Sequence, residues 1–168
     1  MKPPIARSSF FIVLFALGIA ACSSGEPKIS AIPNQSASLV GQLSANPLQW
    51  RIITSVVDRS DRTMATLYGN DRAVGYVRTH LQHDYPAGSM LSLVTWDQQE
   101  DARWFGANIP NQVKSVEFVT VETGADGRPS YSYEKYEGQP LKKSADQEAL
   151  AATERAMYMI SQRAAVLP

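Results

Sequence analysis

"WRIITSVVDRSDRTMATLYG", Trp50–Gly69, decides the architecture. Its first part, Trp50–Asp58, is rich in β-branched Ile, Thr and Val, the residues that suit a pleated surface. "DRSDR", Asp58–Arg62, is a polar turn, and "TMATLYG", Thr63–Gly69, is a second strand. Two strands joined this tightly predict an antiparallel hairpin. A parallel pair would need a crossover of a dozen or more residues.

Downstream, "GND" at 69–71 offers a helix start, with Asn70 or Asp71 as the cap. Ala73, Val74, Val77 and Leu81 follow at helical spacing, and "DYPAG", Asp84–Gly88, ends the run through Pro86 and Gly88. "SMLSLVTWD", Ser89–Asp97, is the third strand. Met90, Ser92, Val94 and Trp96 share one face and Leu91, Leu93 and Thr95 the other, so a central strand is expected. "KSVEFVTVE", Lys114–Glu122, is the fourth, with Glu117, Val119 and Val121 opposite Val116, Phe118 and Thr120. "GADGRP" is a turn, and "SYSYEKYEG", Ser130–Gly138, is the fifth strand. A last helix is expected from an Asp146 cap, with Leu150, Met157, Ile160 and Ala164 on its apolar face. The order β-β-α-β-β-β-α predicts an α+β fold: a mainly antiparallel sheet, curled or barrel-like, with two flanking helices.

Upstream, Lys2 and Arg7 precede Phe10–Ala21, an unbroken apolar run of 12 residues. A membrane-spanning helix needs about 20. A basic head, a short apolar centre and small residues describe a secretory signal peptide. It runs into "IAACSS", which resembles the lipobox of bacterial lipoproteins. That resemblance implies cleavage after Ala21 and lipidation of Cys22, and Ser23 after the cysteine implies outer-membrane delivery, facing the periplasm. Cys22 is the only cysteine, so an intrachain disulfide is excluded. "SSGEPKISAIPNQSAS", Ser23–Ser38, is rich in Ser and Pro and lacks periodicity. The expected organisation is a signal peptide over 1–21, a flexible tether over 22–45 and one domain over 46–168.

Lys2 and Arg7 are the only basic residues before Cys22, so the remaining chain holds 14 basic against 16 acidic residues. With no basic stripe, nucleic acid is not an expected partner. The expected partners are the membrane, through the N-terminal lipid, and a small-molecule ligand or an envelope protein.

The segments "LQWRIITSVV", "LYGNDRAVGYVR", "YPAGSMLSLVTW", "SVEFVTVE" and "YSYEKYEGQPL", over about Leu48 to Pro140, together resemble the cytochrome P-460 family. The resemblance implies a barrel-like antiparallel sheet with flanking helices, consistent with the independent reading. It also implies a haem held by a Cys-x-x-Cys-His motif near the C-terminus and by a strand lysine. This chain departs from both. Its C-terminal segment "ATERAMYMISQRAAVLP" has neither Cys nor His, and the lysine position falls near Leu93. Covalent c-type haem is therefore excluded and no cofactor is expected. Non-covalent haem is the open alternative, through His80, His83 or a tyrosine.

The remaining candidates are weak. His80 and His83 stand three residues apart near the end of the first helix, beside Asp84. That spacing can serve a metal, but solvated residues at a helix C-terminus are the plainer reading, and no metal site is expected. Tyr68, Trp96, Tyr131, Tyr133 and Tyr136 are candidates for the wall of the space where relatives hold haem, or for side chains that fill it. Asp97, Glu100 and Asp101 can be a carboxylate site or a solvated corner. Trp104 and Phe105 are expected to cover the end of the sheet. Arg155, with Glu154 and Arg163, reads as a solvated helix face. No GxSxG motif or phosphate-binding glycine loop occurs.

Overall fold

The computed structural model describes residues 33–80, 84–145 and 148–165. It holds six strands and two helices: β1 (Arg51–Asp58), β2 (Thr63–Gly69), α1 (Asp71–Val77), β3 (Met90–Glu100), β4 (Asn108–Thr123), β5 (Pro129–Glu137), β6 (Lys142–Lys143) and α2 (Ala149–Ile160). The strands form one antiparallel sheet in the order 1-2-3-4-5-6, each paired with its neighbour in sequence, and the sheet is open. The α+β reading is correct. The hairpin Trp50–Gly69 pairs Asp58 with Thr63 and Arg51 with Gly69, and β2 has the bounds its sequence predicts.

β3 is the central strand that its two apolar faces imply. Leu91 and Leu93 join Ile53, Leu67, Val119 and Val121 on one side of the sheet, under α1 and α2. Val94 and Trp96 join Tyr68, Val113, Val116, Phe118 and Tyr136 on the other. Both helices pack on the first side. Among the described residues, no α-helix packs on the second side. Ala37, Leu39, Leu43, Ala45 and Trp50 cover it instead, along with Leu141. Trp96 Nε1 donates to Ala37 O at 3.0 Å. Gly41 and Leu141 form a parallel bridge.

This cover shortens the expected tether of residues 22–45. Asn34 Nδ2 already donates to Pro110 O at 2.6 Å, so the chain enters the body at Asn34 rather than near residue 46. A run rich in Ser, Pro and Asn reads as a linker, yet Ala37, Leu39, Leu43 and Ala45 fall at alternate positions, the period of a chain laid on a sheet.

Asn70 is the cap of α1. Its side chain accepts from Ala73 N at 3.0 Å and donates to Gly88 O at 2.9 Å, so one residue starts the helix and pins the loop before β3. The helix stops at Val77, short of the expected Leu81. Thr79 gives the Gly75 carbonyl its hydroxyl, while its N–H turns to the Tyr76 carbonyl in a tighter turn, so the helical ladder breaks there. Leu81 and Asp146 lie outside the described residues. β4 begins at Asn108, six residues before its β-branched core, because β3 runs on through Glu100 and pairs Gln98 with Pro110. Proline is tolerated there beside an irregularity in register between Trp96 and Gln98.

The apolar face of α2 differs from expectation. Ala156, Met159 and Ile160 are buried, whereas Leu150 is 72% and Met157 52% exposed. The helix ends at Ile160, and Ala164 packs against the core from beyond it.

Candidate functional site

The inner side of the sheet carries a charged cluster at its centre. The register aligns Leu93 on β3, Glu117 on β4 and Lys135 on β5. Paired residues project to the same side of a sheet. Glu117 therefore shares its face with Val119 and Val121, under α2, and is 2% exposed. Arg155 of α2 meets it in a two-point ion pair: Nη2 donates to Oε1 at 2.7 Å and Nε to Oε2 at 2.9 Å. The Tyr133 hydroxyl donates to the same Oε2 at 2.5 Å. The guanidinium also lies over the Tyr158 ring, 5.0 Å from its centroid.

This arrangement shifts two of its members. The Glu117 carboxylate holds the Arg155 guanidinium protonated well above its ordinary range. Burial first, then the bond to Glu117, pushes the Tyr133 phenol up, so it stays a neutral donor. A carboxylate with both oxygens occupied by Arg155 has little capacity left for proton abstraction. The cluster works as a clamp between helix and sheet.

Two open clefts flank Arg155. One, about 280 Å³, is lined by Tyr133, Lys135, Glu137, Ser144 and the start of α2. The other, about 290 Å³, is lined by Thr63, Thr95, Lys114, Ser115, Glu117 and Lys135, among others. Lys135 and Glu137 form an ion pair at 2.6 Å along the shared wall. Both linings carry hydroxyls and charges of both signs.

The matched pattern of strands and helices has a family behind it: the Cytochrome P460 family model matches residues 48–154. The chain belongs to the cytochrome P460 family. No curated protein matches the chain significantly.

A P460 domain raises the question of haem. Leu93, near the position of the family's haem-bonding lysine, is 4% exposed and lies in the core that α1 and α2 close. It offers neither an amine nor an axial donor. Beside it stand Glu117 and Arg155, already paired to each other. The chain's single cysteine, Cys22, lies outside the matched segment. The donor set around Leu93 does not fit a covalently held haem.

The sheet of the P460 domain also separates the aromatic candidates. Tyr68, Trp96 and Tyr136 face the N-terminal cover, while Tyr131 and Tyr133 face the helices. They line no common space. His80 is exposed beyond the end of α1, its ring stacked on Tyr76 with centroids 4.2 Å apart. Its Nδ1 contacts the Thr79 hydroxyl and the Tyr76 carbonyl. His83 and Cys22 lie outside the described residues. No group of three or more His, Cys, Asp or Glu side chains placed to hold a metal occurs among the described residues.

The carboxylates of Asp97, Glu100 and Asp101 do not converge. Asp97 faces Lys114 at 3.6 Å, Glu100 is exposed on β3, and Asp101 Oδ1 accepts from Arg103 N at 2.8 Å. Trp104 and Phe105 do not cover the end of the sheet: both stand in solvent. Arg155 is not a purely solvated residue. The signal that could have found its partner was Glu117, an acidic residue in the alternation of Val119 and Val121.

Proposed function

We propose that this protein is a lipid-anchored envelope protein whose P460 domain works without haem, as a non-catalytic binding module. The observation that carries the reading is Leu93. The resemblance puts the family's haem-bonding lysine near Leu93, which is a buried leucine, and its neighbours Glu117 and Arg155 are paired with each other. The clefts on either side of Arg155 offer hydroxyls and charges of both signs, which suits a small zwitterionic or polar ligand, or the polar edge of an envelope protein.

The anchor rests on the sequence: a short apolar run, two alanines, then Cys22. Acyl chains at the new N-terminus would give stable attachment where a single chain would not. Delivery to the outer membrane, facing the periplasm, follows from Ser23. Replacing Cys22 by Ser is expected to move the protein from the membrane to the soluble fraction. Persistent membrane association of Cys22→Ser would sink the anchor.

An absorption spectrum tests the loss of haem. The protein is expressed in a periplasm and purified with and without added hemin. The expected spectrum is featureless above the aromatic band. A stoichiometric Soret band that moves on reduction would replace this reading with that of an oxidoreductase holding haem non-covalently.

A further inference from the structure

Trp104 and Phe105 stand at the tip of the β3–β4 hairpin, one 70% and the other fully exposed. The tip is a built turn. Asp101 N donates to Ala107 O, Ala107 N to Trp104 O and Trp104 N to Asp101 O. Gly106, at φ +78°, turns the chain back toward β4. The backbone thus satisfies itself, and the turn gains nothing from holding two large aromatic rings in water. Adjacent aromatics exposed in this way mark an interaction surface.

The entry of the chain into the body identifies the surface they meet. Asn34 is bonded to Pro110, five residues beyond Phe105 on the returning strand. The body therefore begins at the end of the sheet that carries the aromatic tip. Eleven residues separate Cys22 from Asn34. Fully stretched they reach about 40 Å, and as a flexible coil about 20 Å. A lipid on Cys22 would hold this end of the sheet, and not the opposite one, next to the bilayer.

We propose that the Trp104–Phe105 tip inserts into the interfacial zone of the membrane that holds the anchor. The inference rests on the lipid anchor proposed above. Trp is favoured at that depth because its ring is apolar while its N–H still reaches water. Charge does not drive the contact. Arg59, Arg62 and Arg103 at this end are matched by Asp58, Asp61 and Asp101, and Gln98 ties the β1–β2 turn to β3 through Arg62 O and Thr63 O. Insertion should therefore persist at high salt.

The test separates the tip from the anchor. Cys22 is the only thiol, so the chain Cys22–Pro168, which keeps both apolar cores whole, can be coupled through it to a maleimide-bearing lipid. This works whether or not a cell acylates the cysteine. The vesicles are phosphatidylethanolamine and phosphatidylglycerol with brominated or unbrominated acyl chains. Brominated chains are expected to quench part of the tryptophan emission of the unaltered chain, at low and high salt alike. Trp104→Phe should abolish the quenching, since Trp50 and Trp96 lie in the folded body. Phe105→Ser should reduce it several-fold with the circular dichroism unchanged. Equal emission from the two kinds of vesicle would overturn the proposal, and would assign the tip to a protein partner instead. Failure of the natural anchor is read separately, from the mass of the cell-made protein, and leaves the coupled result standing.

Discussion

Arg155 on α2 and Glu117 on β4 are 38 residues apart and share two hydrogen bonds, at 2.7 and 2.9 Å. Glu117 is buried while part of Arg155 reaches solvent. Removing the arginine therefore strands a buried carboxylate. Arg155→Met is expected to destabilise the fold by about 2–3 kcal/mol, less than the roughly 3–5 kcal/mol for breaking a fully buried pair, because one partner is partly solvated. Urea unfolding measures it. Adding Glu117→Gln should restore part of the loss, and a strictly additive double variant would show that the pair does not couple.

Tyr133 supplies the third bond to Glu117. Tyr133→Phe leaves the ion pair but removes a hydrogen bond to a charged group, a loss of about 1.5 kcal/mol. A change no larger than that of an exposed Tyr→Phe control would mean that Arg155 alone satisfies Glu117.

Tyr85 makes the fold sensitive to alkali. Its ring is buried, its hydroxyl finds no hydrogen-bond partner among the described residues, and burial pushes its phenol up to about 12. The unfolded phenol ionises near pH 10. Below that, both states hold the proton and stability is intact. Between about 10 and 12 only the folded state holds it, so stability falls as pH rises, by about 1.4 kcal/mol per pH unit for this group. Tyr85→Phe should flatten that decline, and should not destabilise the protein at neutral pH. An unchanged alkaline profile would place the sensitivity on Tyr131 and Tyr133, whose phenols are also raised.

Gly41 sits against Leu141 at a positive φ of 154°, and a Cβ there would collide with the carbonyl oxygen of Leu141. Gly41→Ala is expected to lift residues 34–45 from the sheet, costing more than 1 kcal/mol and exposing the face of Trp96 and Phe118. Faster protease cleavage near residue 40 and a red shift in tryptophan emission would register it. A cleavage rate equal to that of the unaltered chain would mean that Ala37 and Leu39 hold the segment without the bridge.

The sheet was legible in the sequence because its signals are local. The alternation of "SMLSLVTWD" places each side chain of β3 on the side it takes, and the hairpin Trp50–Gly69 fixes its own pairing. The end of α1 was less legible, since it turns on the Thr79 hydroxyl taking the Gly75 carbonyl, which apolar spacing does not register. The charged cluster was hidden for a different reason. Glu117 and Arg155 each look like surface residues within their own elements, and only the docking of α2 on β4 makes them partners. The face of α2 departs from its apolar spacing because Ala156, a small residue, is buried while the larger Leu150 and Met157 are exposed.

The strands pair only with their sequence neighbours, so the sheet can grow one hairpin at a time. The bridge from Gly41 to Leu141 departs from that pattern, spanning 100 residues. For a chain made from its N-terminus, the segment synthesised before any strand must wait for residue 141 before it can dock. Until then the side of the sheet with Trp96 and Phe118 stays wet and adhesive. The first part of the body to be made thus completes its docking late, and until it does a chaperone or a misplaced neighbour has its opening.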